Sequence, residues 1–268
     1  MLNEFSKNIL ANQIWQPEKY QWDLSPKEDT ILYVNFDGTY EDQSIYKCVP
    51  NSYDITYKSG NQTYDFLNYD NKKFGNASIG PVSYSGLRSS RTYNIDNSNW
   101  KFGDTDFTID FWTKRKEEKW YLDYQRRIFC IPYIDEYAPN GTGIGIYASK
   151  ENSLSYTGST KYNLDSSINW YLTEDLPNND EWQHICLVYV KKENILKFYF
   201  NGKWNNKKIP LPDNYFSEYL KSNTIIIGGG YYGYNFYNYN NYLDEFRICK
   251  KIIWEKDFIP PTKQYTLV

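Results

Sequence analysis

Two acids stand side by side near the end of the chain, Asp244 and Glu245, inside the strand-like run Leu243-Asp244-Glu245-Phe246-Arg247-Ile248. A retaining glycosidase needs two carboxyls about 5–5.5 Å apart on one surface. Neighbours in a strand point to opposite faces. The alternation therefore predicts that Asp244 and Glu245 are separated, and the chain has no E-x-D-x-E run that would align acids on one face. His184 is the only histidine, and it shares a predicted strand face with Trp182, Cys186 and Val188. A Cys–His nucleophile is one reading of that pair. A structural histidine beside a packed thiol is the reading adopted. Neither a G-x-S-x-G elbow nor a glycine-rich phosphate loop occurs. The expectation is a protein without catalytic activity.

A second kind of chemistry is written in Gly228 to Tyr242, GGGYYGYNFYNYNNY. Tyrosine supplies rigid amphipathic area, while glycine and asparagine supply adaptable backbone and hydrogen bonds. Tyr231, Tyr232, Tyr234, Tyr237 and Tyr239 are the candidate ligand contacts, on a loop expected to project from a sandwich edge. The competing reading is that these rings pack on one another, on the N-terminal segment or on a second subunit. Tyr156, Tyr162 and Trp170 form another aromatic region with the same ambiguity.

The elements that must position these residues are strands. The chain has 268 residues, with 19 % aromatics, 29 tyrosines and only four alanines. That balance disfavours helices and favours an all-β fold. Net charge is −3 and the basic residues are scattered, so no nucleic-acid groove is expected. The densest basic run, Lys114-Arg115-Lys116, runs straight into Glu117-Glu118. No apolar run reaches the ~20 residues of a membrane helix, and Met1 to Trp15 lacks the apolar core of a signal peptide. A soluble chain without a visible export signal is the expectation. Cys48, Cys130, Cys186 and Cys249 are widely spaced, without C-x-x-C, and read as reduced core thiols.

Residues 1–29 lack clean periodicity and read as an arm or anchor; residues 30–268 read as one domain. Ile31 to Phe36 is a strand closed by the turn pair Asp37-Gly38. In Phe107 to Trp112, Phe107, Ile109 and Phe111 share one face. Trp182 to Val190 is apolar on both faces and reads as a central strand. Ile195 to Phe200, then Asn201-Gly202, then Lys203-Trp204, reads as a hairpin with a type I′ turn. Thr224 to Gly228 is a further strand.

The order of these motifs resembles a known family. Phe36-Asp37-Gly38, Asp106-Phe107-Thr108-Ile109-Asp110-Phe111-Trp112, Trp182-Gln183-His184, Phe198-Tyr199-Phe200-Asn201-Gly202, Ile225-Ile226-Ile227-Gly228-Gly229, Leu243 to Ile248 and Phe258-Ile259-Pro260-Pro261-Thr262 look like laminin-G-like, concanavalin-A-like jelly-roll domains. The resemblance implies a two-sheet antiparallel jelly-roll sandwich that binds glycans or proteins. Its closing motifs look most like bacteriophage tail or fibre-associated proteins. That implies a virion location, contacts with other virion proteins through residues 1–29, and a host-surface glycan as ligand, with a homo-oligomer as one form. Alternatives are a structural capsid or tail decoration and a bacterial surface carbohydrate-binding module. The resemblance also implies a structural Ca²⁺, with Asp37 and Asp244 as ligands and Asp42 beside them. The residue-level alternative is turn capping for Asp37 and Asp42 and a buried hydrogen-bonded acid for Asp244.

Overall fold

The computed structural model describes residues 23–51, 66–81, 91–114, 126–133, 141–148, 154–158, 168–171, 181–211, 213, 215–216, 223–232, 235–238 and 241–268. In chain order the strands are β1 (Leu24–Ser25), β2 (Thr30–Val34), β3 (Pro50–Asn51), β4 (Leu67–Asn68), β5 (Ser78–Ile79), β6 (Arg91–Asn94), β7 (Phe107–Lys114), β8 (Arg126–Tyr133), β9 (Gly141–Ala148) and β10 (Leu154–Gly158). They continue as β11 (Ile168–Tyr171), β12 (Gln183–Val190), β13 (Ile195–Phe200), β14 (Lys203–Pro210), β15 (Thr224–Ile227), β16 (Gly229–Tyr232), β17 (Asn235–Asn238), β18 (Tyr242–Cys249) and β19 (Thr266–Leu267).

Two sheets carry the fold. The larger runs β14-β13-β12-β7-β18-β5-β4, with β2 also on β18. The smaller runs β11-β10-β9-β8-β15-β6-β3. All pairs within both are antiparallel. This is the expected all-β sandwich. β2 covers one half of β18, from Phe246 to Cys249, and β5 meets the other half at Leu243.

The main core lies between the sheets. Phe107, Ile109 and Phe111 of β7 enter it together, as their alternation predicts, with Phe246 and Ile248 of β18 beside them. Phe111 stacks on Phe246 at 5.5 Å, and both meet Phe129 of the smaller sheet edge-on at 5.9 and 5.7 Å. β12 lies between β7 and β13 and is buried along its whole length. Ile185, Leu187 and Tyr189 face the main core, whereas Cys186 and Val188 join a second cluster on the outer face of the larger sheet. The C-terminal segment covers that outer face through Trp254 and Phe258, whose rings stack at 4.0 Å.

Asn201 and Gly202 take positive φ values of 48° and 74°, as the β13–β14 hairpin requires. The glycine has a second reason. A Cβ there would sit 1.9 Å from the Phe258 carbonyl oxygen, and the Phe258 amide donates to the Gly202 carbonyl at 2.8 Å. The hairpin tip thus docks the C-terminal cover. Of the expected arm, residues 23–29 are described, and they clasp the end of the chain. β1 pairs in parallel with β19, and the Asp23 carboxylate accepts from the amides of Thr262 and Lys263 at 3.1 and 3.3 Å. Residues 1–22 lie outside the described part.

Candidate functional site

β18 does not alternate as a regular strand. Asp244 pairs with Trp112 and Arg247 with Asp110, so β18 carries one residue more than β7 between those pairs. Glu245 adopts the left-handed conformation at this bulge, φ 54°. The expected separation of the two acids is therefore corrected. Leu243, Phe246 and Ile248 enter the core, while both carboxylates lie on the outer face. Both are buried, at 0 % and 1 % exposure, which closes them to a substrate.

The Glu245 carboxylate accepts from the Tyr33 hydroxyl at 2.7 Å and from the Tyr265 amide at 3.4 Å. Burial pushes its pKa up to about 7 against the pull of the Tyr33 hydrogen bond. Tyr265 in turn donates its hydroxyl to Asp110. Asp110 also receives Arg247 Nε at 2.9 Å and faces His184 Nε2 at 3.2 Å. All three of these charged or titratable side chains are fully buried. Burial works to raise the Asp110 pKa, but the Arg247 charge and the His184 contact outweigh it and hold the carboxyl low. Burial lowers the His184 pKa, against the pull of Asp110. The Arg247 guanidinium lies 3.7 Å over the Tyr265 ring and 5.3 Å from that of Trp254.

This arrangement answers the nucleophile question. His184 is engaged with Asp110 and lies edge-on to Trp254 and Phe258, each at 5.7 Å. Burial raises the Cys186 thiol well above its ordinary pKa, which disfavours the reactive thiolate. All four cysteines are buried and none is in a disulfide.

The three proposed calcium ligands sit in separate hydrogen-bonded sets. Asp42 accepts from the amides of Tyr33, Ser44 and Cys48 at 2.8–2.9 Å, and from the Ser44 hydroxyl at 2.6 Å. Asp244 accepts from the amides of Lys73, Phe74 and Glu245 at 2.8, 3.3 and 2.9 Å. Asp37 accepts from the amides of Asn76 and Ala77 and from Gln264. Asp37 and Asp244 thus clamp one loop, residues 73–77, from two sides. Gly75 is required there: its φ is +56°, and a Cβ would sit 2.1 Å from Asp37 Oδ1. Amide hydrogens already occupy the oxygens a cation would need. Among the described residues no group of three or more His, Cys, Asp or Glu side chains could hold a metal ion. The donor set does not fit Ca²⁺, and the alternative of capping and buried hydrogen bonding describes these acids.

The tyrosine run forms a separate two-stranded hairpin. Tyr231 of β16 stands opposite Phe236 of β17, and Gly230 opposite Tyr237. Tyr232 pairs with Asn235. β16 lies against β8 and β9, so the run folds back beside the smaller sheet. Tyr234 and Tyr239 lie outside the described residues, as does Tyr162.

Asp110, Arg247, Tyr33 and Tyr265 were not singled out from the sequence. A signal was available for the first two. A carboxylate and a guanidinium inside otherwise apolar strands must each be paired if both faces are covered.

The described sandwich agrees with a family comparison. A model of the concanavalin A-like lectin/glucanases superfamily, of the laminin-G type, matches residues 88–256. The chain belongs to this superfamily. No curated protein matches it. Among solved structures, one similar to it is the binding domain of botulinum neurotoxin DC in complex with rat synaptotagmin II. The identity is 17 %, the TM-score 0.55, and the match covers 86 % of this chain and 50 % of the other. Another, from a study of type C botulinum neurotoxin and two ganglioside molecules, has 18 % identity, TM-score 0.55 and coverage of 85 % and 49 %. The binding domain of Paraclostridial Mosquitocidal Protein 1 has 18 % identity, TM-score 0.54 and coverage of 85 % and 50 %. The chain spans about half the length of these structures, and the likeness is one of fold.

Proposed function

We propose that this chain is a non-catalytic recognition module for a cell-surface glycan or protein, with a glycan as the preferred ligand. The observation that carries the reading is the state of the acids on β18. In a superfamily that includes glucanases, the adjacent acids Asp244 and Glu245 are buried under other segments and used as hydrogen-bond acceptors. Similar solved structures carry binding domains, one in complex with rat synaptotagmin II and another from work on two ganglioside molecules. The tyrosine hairpin of residues 229–238 offers residue types suited to recognition.

The setting we propose is a bacteriophage virion, as a tail or fibre-associated protein anchored through the N-terminal arm. It rests on the resemblance of the Asp106–Trp112 and Leu243–Thr262 motifs. A glycan array probed with the purified chain, and a binding assay on candidate host cells, test the recognition role. Retention on either, reduced by alanine at Tyr231, Tyr232 or Tyr237 without loss of folding, supports it. Blank results in both remove it.

A further inference from the structure

Among the described residues, the cover on the outer face of the larger sheet stops short at one end. His184, Trp112 and Asp244 form one row across β12, β7 and β18. Trp254, Phe258 and Phe74 cover it, the last edge-on to Trp112 at 5.9 Å. The next row outward holds Trp182, Lys114 and Tyr242. Tyr242 pairs with Lys114, and Trp182 directly precedes Gln183, which pairs with Thr113. All three side chains are half-buried. The rings of Trp182 and Tyr242 are 6.4 Å apart and tilted by 52°.

A polar clasp completes this row. Asn71 donates to the Tyr242 hydroxyl oxygen at 3.2 Å and accepts from Lys114 Nζ at 3.3 Å. Its own backbone is held, with the amide on Asn68 Oδ1 at 2.6 Å and the carbonyl accepting from the Ser78 hydroxyl. Among the described residues the Tyr242 hydroxyl has no acceptor for its own proton, and Lys114 has two further N–H donors. Lys114 forms no ion pair among the described residues. Lys73 adds a second ammonium nearby, 3.8 Å above the Trp112 ring. The row therefore offers aromatic surface on both sides of a cation, with a fixed amide and a spare hydroxyl donor.

We propose that Trp182, Tyr242, Lys114 and Asn71 form a saccharide subsite for a carboxylate-bearing sugar. The apolar C–H face of the sugar ring would lie on the two aromatic rings. Its carboxylate would accept from Lys114 and the Tyr242 hydroxyl, a charge-assisted contact that a neutral sugar lacks. The inference rests on the glycan-recognition reading above and places a specific site within it.

The test uses the full chain on an array pairing sialylated and uronate-containing oligosaccharides with their neutral counterparts. Wild type, Lys114→Gln, Trp182→Ala and Tyr231→Ala are compared, with thermal melting to check that each folds. The expected result is retention of carboxylate-bearing glycans at least tenfold above the neutral ones. Lys114→Gln should erase that preference, and Trp182→Ala should abolish retention. Unchanged retention by both variants, with loss in Tyr231→Ala, overturns the subsite and leaves the glycan reading standing. Retention of neutral glycans alone also overturns the subsite. A wild-type chain that retains no glycan overturns both.

Discussion

Asp110 and Arg247 sit on neighbouring strands with Arg247 Nε 2.9 Å from Asp110 Oδ1, and neither side chain has any exposure to solvent. Such a pair carries a large desolvation cost, so its net contribution to stability is small, but breaking it strands a charge. Asp110→Asn leaves the Arg247 guanidinium without its counter-charge. The expected loss is about 3–5 kcal/mol in urea unfolding. A loss below about 1 kcal/mol would show that Arg247 is neutralised some other way.

Glu245 gives the protein a pH dependence of stability. Burial raises its folded pKa from the ordinary glutamate range to about 7, so between the two the folded state binds the extra proton. The stabilisation is fully present below the unfolded pKa and is lost as pH rises through 7. The full span is on the order of 3 kcal/mol. Asp244, also raised by burial and by the Glu245 charge, acts in the same sense. Glu245→Gln should therefore gain on wild type in melting temperature as pH rises from 5 to 8. Parallel profiles would refute the assignment.

Gly202 is held by its conformation and by its neighbour. Gly202→Ala brings a methyl group into the Phe258 carbonyl and strains a positive φ of 74°. A loss of about 2–3 kcal/mol is expected, in line with the cost of left-handed strain plus a forced shift. A loss below about 1 kcal/mol for Gly202→Ala would deny that the hairpin tip docks the C-terminal segment.

Calcium should leave stability unchanged. The carboxylates of Asp37, Asp42 and Asp244 are met by amide hydrogens. A cation at a hundred times its dissociation constant would add about 2.7 kcal/mol. Melting in chelator and in millimolar CaCl₂ is expected to agree within about 1 °C, on the scale set by that linkage. A clear upward shift with CaCl₂ would restore a metal role for these acids.

Local pattern carried much of the architecture. The alternation of Phe107, Ile109 and Phe111, the two apolar faces of Gln183–Val190 and the Asn201-Gly202 turn are consequences of strand geometry and backbone sterics, and each is read from a few adjacent residues. The order of motifs was enough to indicate the family. The candidate site was not legible in the same way. Asp110, His184, Arg247 and Tyr265 meet across four distant parts of the chain, and Asn71 reaches Tyr242 from a loop 171 residues away. Asp244 and Glu245 share a face because a bulge breaks the alternation, and that bulge is expressed only against β7. Sequence alone determined which stretches become strands, because side-chain period and turn chemistry are local. The tertiary structure decided which acids are sealed and which aromatic row is only half-buried. Burial depends on what packs from elsewhere in the chain: the 73–77 loop on Asp244, and Tyr33 and Tyr265 on Glu245.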